Sequence, residues 1–277
     1  MLPLSFPGAE APGPRPFRNP SACGADGGAN PDSVFHAAVA ITRPAPAPTP
    51  IVYAALGDSI TLGGEASTPT NDYVSLVGAA LNATVTNLGI GSEFSGPVNT
   101  TIGTATFVSG GVLADEVPRI PANANLVSLL IGTNDLWLAG EQKKAGGNPA
   151  ALFPAVSTAY ARNLRAIIAG IKARAPGARI VLLTVPNPAY RYDSGESAAV
   201  RAGITATDDA MRQDLKATAG AIVVDLQCDP ELYTTADYPN PYDLHPNDAG
   251  HAEIAKDVLA ALNGAKVSKA CPYLQPS

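Results

Sequence analysis

From residue 51 onward, short and nearly continuous apolar runs alternate with longer amphipathic segments. Five runs stand out: IVYAAL (51–56), ATVTNLG (83–89), NLVSLLIG (125–132), RIVLLTVP (179–186) and AIVVDL (221–226). They are short and β-branched, which predicts strands covered on both faces. Segments 72–82, 150–175, 198–219 and 248–263 carry helical periodicity, and the last stops at Gly264. Strand–helix alternation predicts a parallel sheet with helices on both faces, joined by right-handed connections. No internal repeat is visible.

Outside that pattern the chain changes character. Residues 1–50 are rich in Pro, Gly and Ala, and TRPAPAPTP (42–50) reads as an extended polyproline-type linker. Within this extension DSVFHAAVAI (32–41) has the makings of a short helix or strand. The expected organisation is an N-terminal extension (1–50), one catalytic-sized domain (51–265) and a C-terminal tail (266–277).

Composition narrows the function classes. With 46% hydrophobic and 15% charged residues in a chain of 277, there is material for a substantial core. The net charge of −6, without a Lys/Arg cluster, argues against nucleic acid or an anionic membrane surface as partner. No apolar run approaches the roughly 18 residues of a membrane span. The three cysteines form no C-x-x-C pair and there are three histidines, so neither a structural zinc site nor a cofactor is expected. Cys228 and Cys271 are the candidate disulfide, pinning the tail in an oxidising compartment; two free thiols are the alternative. A basic start followed by an apolar stretch is missing, although SACGADGG around Cys23 looks like the residue after a lipoprotein cleavage site. The expectation leans to a location outside the cytoplasm, secreted or lipid-anchored.

Candidate chemistry gathers at strand ends, the edge where open α/β sheets build ligand sites. Gly57-Asp58-Ser59 follows the first strand, Asn87-Leu88-Gly89-Ile90-Gly91-Ser92 the second and Gly132-Thr133-Asn134-Asp135 the third. Asp243-Leu244-His245-Pro246-Asn247 precedes the last helix. Each alone reads as a turn or helix cap. Their occurrence in this order at one edge is hard to explain structurally.

This set resembles the SGNH hydrolases, also called GDSL esterases/lipases, across about 51–263. The resemblance implies a three-layer α/β/α sandwich with a five-stranded parallel sheet, flavodoxin-like in topology. It also maps the nucleophile onto Ser59, an oxyanion-hole Asn onto Asn134 and the base onto His245. A second oxyanion donor is a Gly amide, Gly89 or Gly91; Gly91 is favoured because it lies further past the strand.

The residue types suit ester hydrolysis. A serine hydroxyl becomes an effective nucleophile when an imidazole takes its proton. The developing oxyanion needs preorganised donors, here the Ser59 N–H, a Gly N–H and the Asn134 amide. The G-x-S-x-G elbow of ordinary α/β-hydrolases is absent, since Thr61 stands where its last Gly would be. Asp58 is too close to Ser59 to orient the histidine and is expected to organise the turn or cap the helix.

One departure concerns the triad acid. The family usually carries it three residues before the histidine, where this chain has Tyr242. Asp243, two residues before His245, is the preferred candidate, because that offset in extended chain keeps both side chains on one side. The alternative is a dyad in which a backbone carbonyl near Tyr242 accepts the imidazole proton. His251 reads as a satisfied core or surface histidine. Trp137 and Leu138 wall an acyl pocket or simply pack a loop, and residues 186–197 shape the entrance or form a plain surface loop.

The expectation is therefore a metal-independent serine carboxylesterase for short-to-medium acyl esters. Within the enzyme class the alternative is a carbohydrate or peptidoglycan O-acetylesterase. From another class it is a non-catalytic flavodoxin-like binding module, although no phosphate-binding fingerprint supports one. A glycosidase would need a specific acid pair that the sequence does not offer.

Overall fold

The computed structural model describes residues 49–186, 198–233, 237 and 244–265. The chain divides at Thr49/Pro50 into two units, and the elements below belong to the second. The linker before residue 49, the segment at 32–41 and the tail from 266 lie outside the described residues, as does most of the 186–197 loop.

In chain order the first unit of secondary structure is β1 (Val52–Gly57), followed by α1 (Ser59–Leu62), α2 (Tyr73–Ala80) and β2 (Thr84–Asn87). A hairpin of β3 (Val98–Ile102) and β4 (Ala105–Ser109) leads to α3 (Val112–Asp115) and β5 (Leu126–Leu130). Then come α4 (Thr133–Lys144), α5 (Pro149–Arg174), β6 (Arg179–Leu183), α6 (Ala198–Lys216), β7 (Ile222–Val224) and α7 (Asp248–Leu262).

Five strands pair in parallel in the order β2-β1-β5-β6-β7. With the hairpin set aside, this is the flavodoxin-like order 2-1-3-4-5, whose switch point lies between β1 and β5. Alternation along the central strands fills two layers. Ala54, Leu56, Val127 and Leu129 join Leu164, Ile167 and Ile171 of α5 on one face. Tyr53, Ala55, Leu126 and Leu130 join Val74 and Val77 of α2 and Ile254 and Val258 of α7 on the other. The result is a three-layer α/β/α sandwich, as the alternating pattern implies.

Three features differ from the sequence pattern. β2 is not covered on both faces: it is an edge strand, half-exposed along its length. The β3–β4 hairpin, closed by Gly103 at φ 61°, differs from that pattern because none of its strand residues is buried and its apolar side chains stand at exposed as well as half-buried positions. Helix α4 occupies a segment read as a turn and loop. Its charged and polar residues give weak periodicity, and only Thr133, Leu136, Leu138 and Ala139 are buried.

Candidate active site

The nucleophile candidate stands on a turn that opens with a glycine the geometry requires. β1 ends at Gly57 with φ 147°, where a Cβ would lie 2.0 Å from the Leu130 carbonyl oxygen of the neighbouring strand. Asp58, fully buried, caps α1: its Oδ1 accepts the Ile60 N–H at 3.0 Å. Ser59 thus becomes the first residue of α1, with its amide among the unsatisfied donors of a helix N-terminus. Gly63 in the left-handed region closes the single turn.

Across from it, the segment entering α7 delivers His245. Its Nε2 lies 2.7 Å from Ser59 Oγ, a contact between residues 186 apart in sequence. With the ring proton on Nδ1, the hydroxyl donates to Nε2 in the geometry a general base requires. Asn247 caps α7 by accepting the Ala249 and Gly250 N–H groups, which fixes the path of this segment.

β2 and β5 flank β1 on either side, so their carboxyl ends come to the same rim as Ser59. After β2, the Gly89 N–H donates to Asn87 Oδ1 at 3.0 Å. A Cβ at Gly89 would lie 2.6 Å from the Leu62 nitrogen, so this glycine serves close packing under α1. Gly91 differs: a Cβ there would meet only Leu62 Cδ2, at 3.9 Å. Its amide donates to no group among the described residues. After β5, Asn134 opens α4 and its Nδ2 donates to the Glu93 carbonyl at 2.8 Å. The neighbouring Asp135 accepts from Ser95 Oγ at 2.6 Å and Ser95 N–H at 3.0 Å. Asn163 of α5 adds a hydrogen bond from Nδ2 to Ser95 Oγ. The loop after β2 is thereby clamped to the start of α4.

Beneath this rim lies a set of buried carboxyls, two of which, Glu116 and Glu93, sequence reasoning missed. Glu116 Oε2 accepts the Gly57 N–H at 2.7 Å, directly behind the nucleophile turn. Burial pushes its acid up to about 9, with the nearby Glu93 and Asp58 adding to the rise, so it keeps its proton at neutral pH. Burial also pushes Asp58 up to about 6, against the Ile60 N–H, the Thr133 hydroxyl and the nearby His245. Asp135 is raised by burial as well, despite its bonds to Ser95. Glu93, 2% exposed, accepts from the Phe94 N–H and from Ser109 Oγ at the end of β4. No periodic or motif signal in the sequence marks Glu93 or Glu116, because Glu116 meets Gly57 only across 59 residues and Glu93 meets Ser109 only through the hairpin between them.

Of the remaining sequence candidates, Trp137 lies on α4 one turn past Asn134, and its ring meets Phe107 of the hairpin edge-on at 5.2 Å. Leu138 is buried in packing. His251 is fully buried. Asp243, Tyr242 and Cys271 lie outside the described residues. Cys228 is disulfide-bonded, and the two other cysteines, Cys23 and Cys271, both fall outside the described residues.

The sequence matches the model of the GDSL-like lipase/acylhydrolase family over residues 55–253. No curated protein matches the chain by sequence. Several crystal structures share the fold. The extracellular lipase of Streptomyces rimosus is 24% identical with a TM-score of 0.53, covering 78% of this chain and 100% of that one. The phospholipase A1 of Streptomyces albidoflavus NA297 is 20% identical with a TM-score of 0.55, at 78% and 100% coverage. An acetyl xylan esterase from Geobacillus stearothermophilus is 20% identical with a TM-score of 0.51, at 79% and 97% coverage. At these identities the likeness is one of fold.

Proposed function

Since the chain belongs to the GDSL-like lipase/acylhydrolase family, we propose that it is a serine carboxylesterase cleaving short-to-medium acyl esters without a metal. The observation that carries this reading is the 2.7 Å approach of Ser59 Oγ to His245 Nε2 at the switch point of the sheet. Ser59 Oγ attacks the ester carbonyl carbon as its proton passes to His245 Nε2. The oxyanion forms against the Ser59 and Gly91 amides and the Asn134 side chain. Collapse expels the alcohol, which takes the proton from His245. Water then attacks the acyl-enzyme, again deprotonated by His245, and the carboxylic acid leaves. Asp243 holds the imidazole tautomer. Trp137, backed by Phe107, walls the acyl side, with Leu138 packed behind it.

A location outside the cytoplasm belongs to the same proposal; the disulfide at Cys228 supports it, with Cys271 as its partner. Titration of the denatured, unreduced protein should find one free thiol; three would remove the bridge.

The reading is tested by a fluorophosphonate, which should add once, to Ser59, as shown by intact mass and peptide mapping. Full activity with no adduct would rule out the nucleophile. A p-nitrophenyl ester series run beside acetylated xylan sets the acyl range, and acetyl-only cleavage would redirect the substrate to an acetylated sugar.

A further inference from the structure

His251 lies six residues beyond His245 in α7, too far along the helix to touch the reacting atoms, yet it is fully buried and fully bonded. Its Nε2 lies 3.0 Å from the Gly64 carbonyl oxygen, an acceptor, so Nε2 carries the proton. Its Nδ1 accepts the Tyr73 N–H at the long distance of 3.4 Å, and its ring stacks on Tyr73 at 15°. Gly64 is the other half of the arrangement. Its N–H donates to the Ser59 carbonyl at 2.8 Å. A Cβ on it would lie 2.6 Å from His245 Cδ2 and 3.0 Å from the Ser59 carbonyl oxygen. Gly64 is therefore the wall on which the base imidazole stands, and it belongs to the chain that carries the nucleophile.

We propose that His251 is a positioning residue: by holding the Gly64 carbonyl it sets the separation between the His245 imidazole and Ser59. The inference rests on the reading of Ser59 and His245 as nucleophile and base. The same end of α7 grips the same loop a second time. Asp248 accepts from the Ser67 N–H at 2.7 Å, from Ser67 Oγ at 2.6 Å and from Asn71 Nδ2 at 2.8 Å. Tyr73 closes the circuit through its hydroxyl, 2.9 Å from Thr61 Oγ1 in α1. The base segment and the nucleophile segment are thus fastened through α7, and His251 is the buried fastener. Burial holds its imidazole below the usual histidine range, with His245 acting the same way and the Gly64 carbonyl, Asp72 and Asp248 opposing. The neutral ring offers one donor and one acceptor, which is what the two backbone partners need.

A displaced base costs turnover more than binding, and misplacement by about 1 Å removes on the order of a hundredfold in rate. His251→Leu should lower kcat by about tenfold or more at nearly constant KM, after normalisation to fluorophosphonate-reactive sites. His251→Gln, whose amide can reach the Gly64 carbonyl, should recover most of kcat, whereas His251→Asn, too short to do so, should not. A role in packing alone would let Leu serve and would not separate Gln from Asn. Should the Leu variant fail to fold, long-range 1H–15N correlation on the parent decides: the neutral Nε2–H tautomer of His251 at pH 7 supports the role, and Nδ1–H or imidazolium overturns it. Parental kcat in His251→Leu overturns the positioning role alone. A parent that hydrolyses no ester and takes no label at Ser59 overturns the underlying reading with it.

Discussion

The side-chain amide of Asn134 donates through Nδ2 to the carbonyl oxygen of Glu93 at 2.8 Å, tying the start of α4 to the loop after β2. One of the two amide hydrogens is engaged in this way, and the proposed mechanism uses the other for the oxyanion. The bond prevents rotation of the amide, so the donor is oriented before substrate arrives. Asn134→Ala should lower kcat by roughly 10²–10³-fold with a much smaller change in KM, because the interaction grows only as charge develops. Steady-state kinetics on a p-nitrophenyl ester measures both; a loss expressed mainly in KM would take Asn134 out of the oxyanion hole.

Gly89 and Gly91 are two residues apart and should respond oppositely to a methyl group. At Gly89 the added carbon would press on the backbone of Thr61 and Leu62, which cannot yield without moving α1. At Gly91 it enters open space beside Leu62 Cδ2 and leaves the amide in place. Gly89→Ala is expected to lower both Tm and activity, by about 1–3 kcal/mol of stability as for an overpacked site. Gly91→Ala should keep the parental Tm. Thermal unfolding of the pair, with unchanged Tm in Gly89→Ala as the contrary result, checks the assignment of packing to one glycine and access to the other.

Glu116 gives the protein a pH signature. Its acid stands near 9 in the folded state against an ordinary value of 4.5. A raised folded-state value means that this group's contribution is complete below about 4.5 and is lost as pH rises towards 9, with a slope of at most about 1.4 kcal/mol per pH unit. Gln has the same shape, still accepts the Gly57 N–H and does not titrate. Urea unfolding at pH 5, 7 and 9 should therefore show the Glu116→Gln variant losing less stability than the parent as pH rises. Parallel pH dependence in the two proteins would mean that Glu116 ionises in the ordinary carboxylate range.

The layers, the five parallel strands and the rim were legible because continuous apolar runs such as NLVSLLIG report burial on both faces, and burial is what a sequence encodes most directly. Ser59 and Asn134 stand out in the sequence just past strand ends, and His245 just before the last helix. The partners that hold them do not. Glu116 reaches Gly57 across 59 residues and His251 reaches Gly64 across 187, each through a single backbone atom. Such bonds depend on which loops the sheet order brings together, and leave no period in the chain. The hairpin escaped for the opposite reason: it is largely exposed, so its alternation carries little apolar contrast.

Asp243 lies outside the described residues, and kinetics can assign its part. As the partner of the His245 imidazole it should cost more than about tenfold in kcat, above 1.4 kcal/mol, when replaced by Ala. A smaller loss would hand the imidazole proton to a backbone carbonyl near Tyr242.

The contact between Ser59 and His245 makes a sharper demand than loss of activity in either variant. Groups that act together in one proton transfer are not independent: once the hydroxyl is gone, the imidazole has no proton to take, and removing it as well costs nothing further. Ser59→Ala and His245→Ala should each lower kcat by about 10⁴-fold or more, and the double variant should match the slower single variant within about threefold. The residual rate in all three would come from the oxyanion donors and substrate binding, so it should fall again when Asn134→Ala is added. Were the double variant slower than either single by a further factor approaching the product of the two losses, Ser59 and His245 would be acting in separate steps. The 2.7 Å hydrogen bond would then be a resting contact and not the path of the proton.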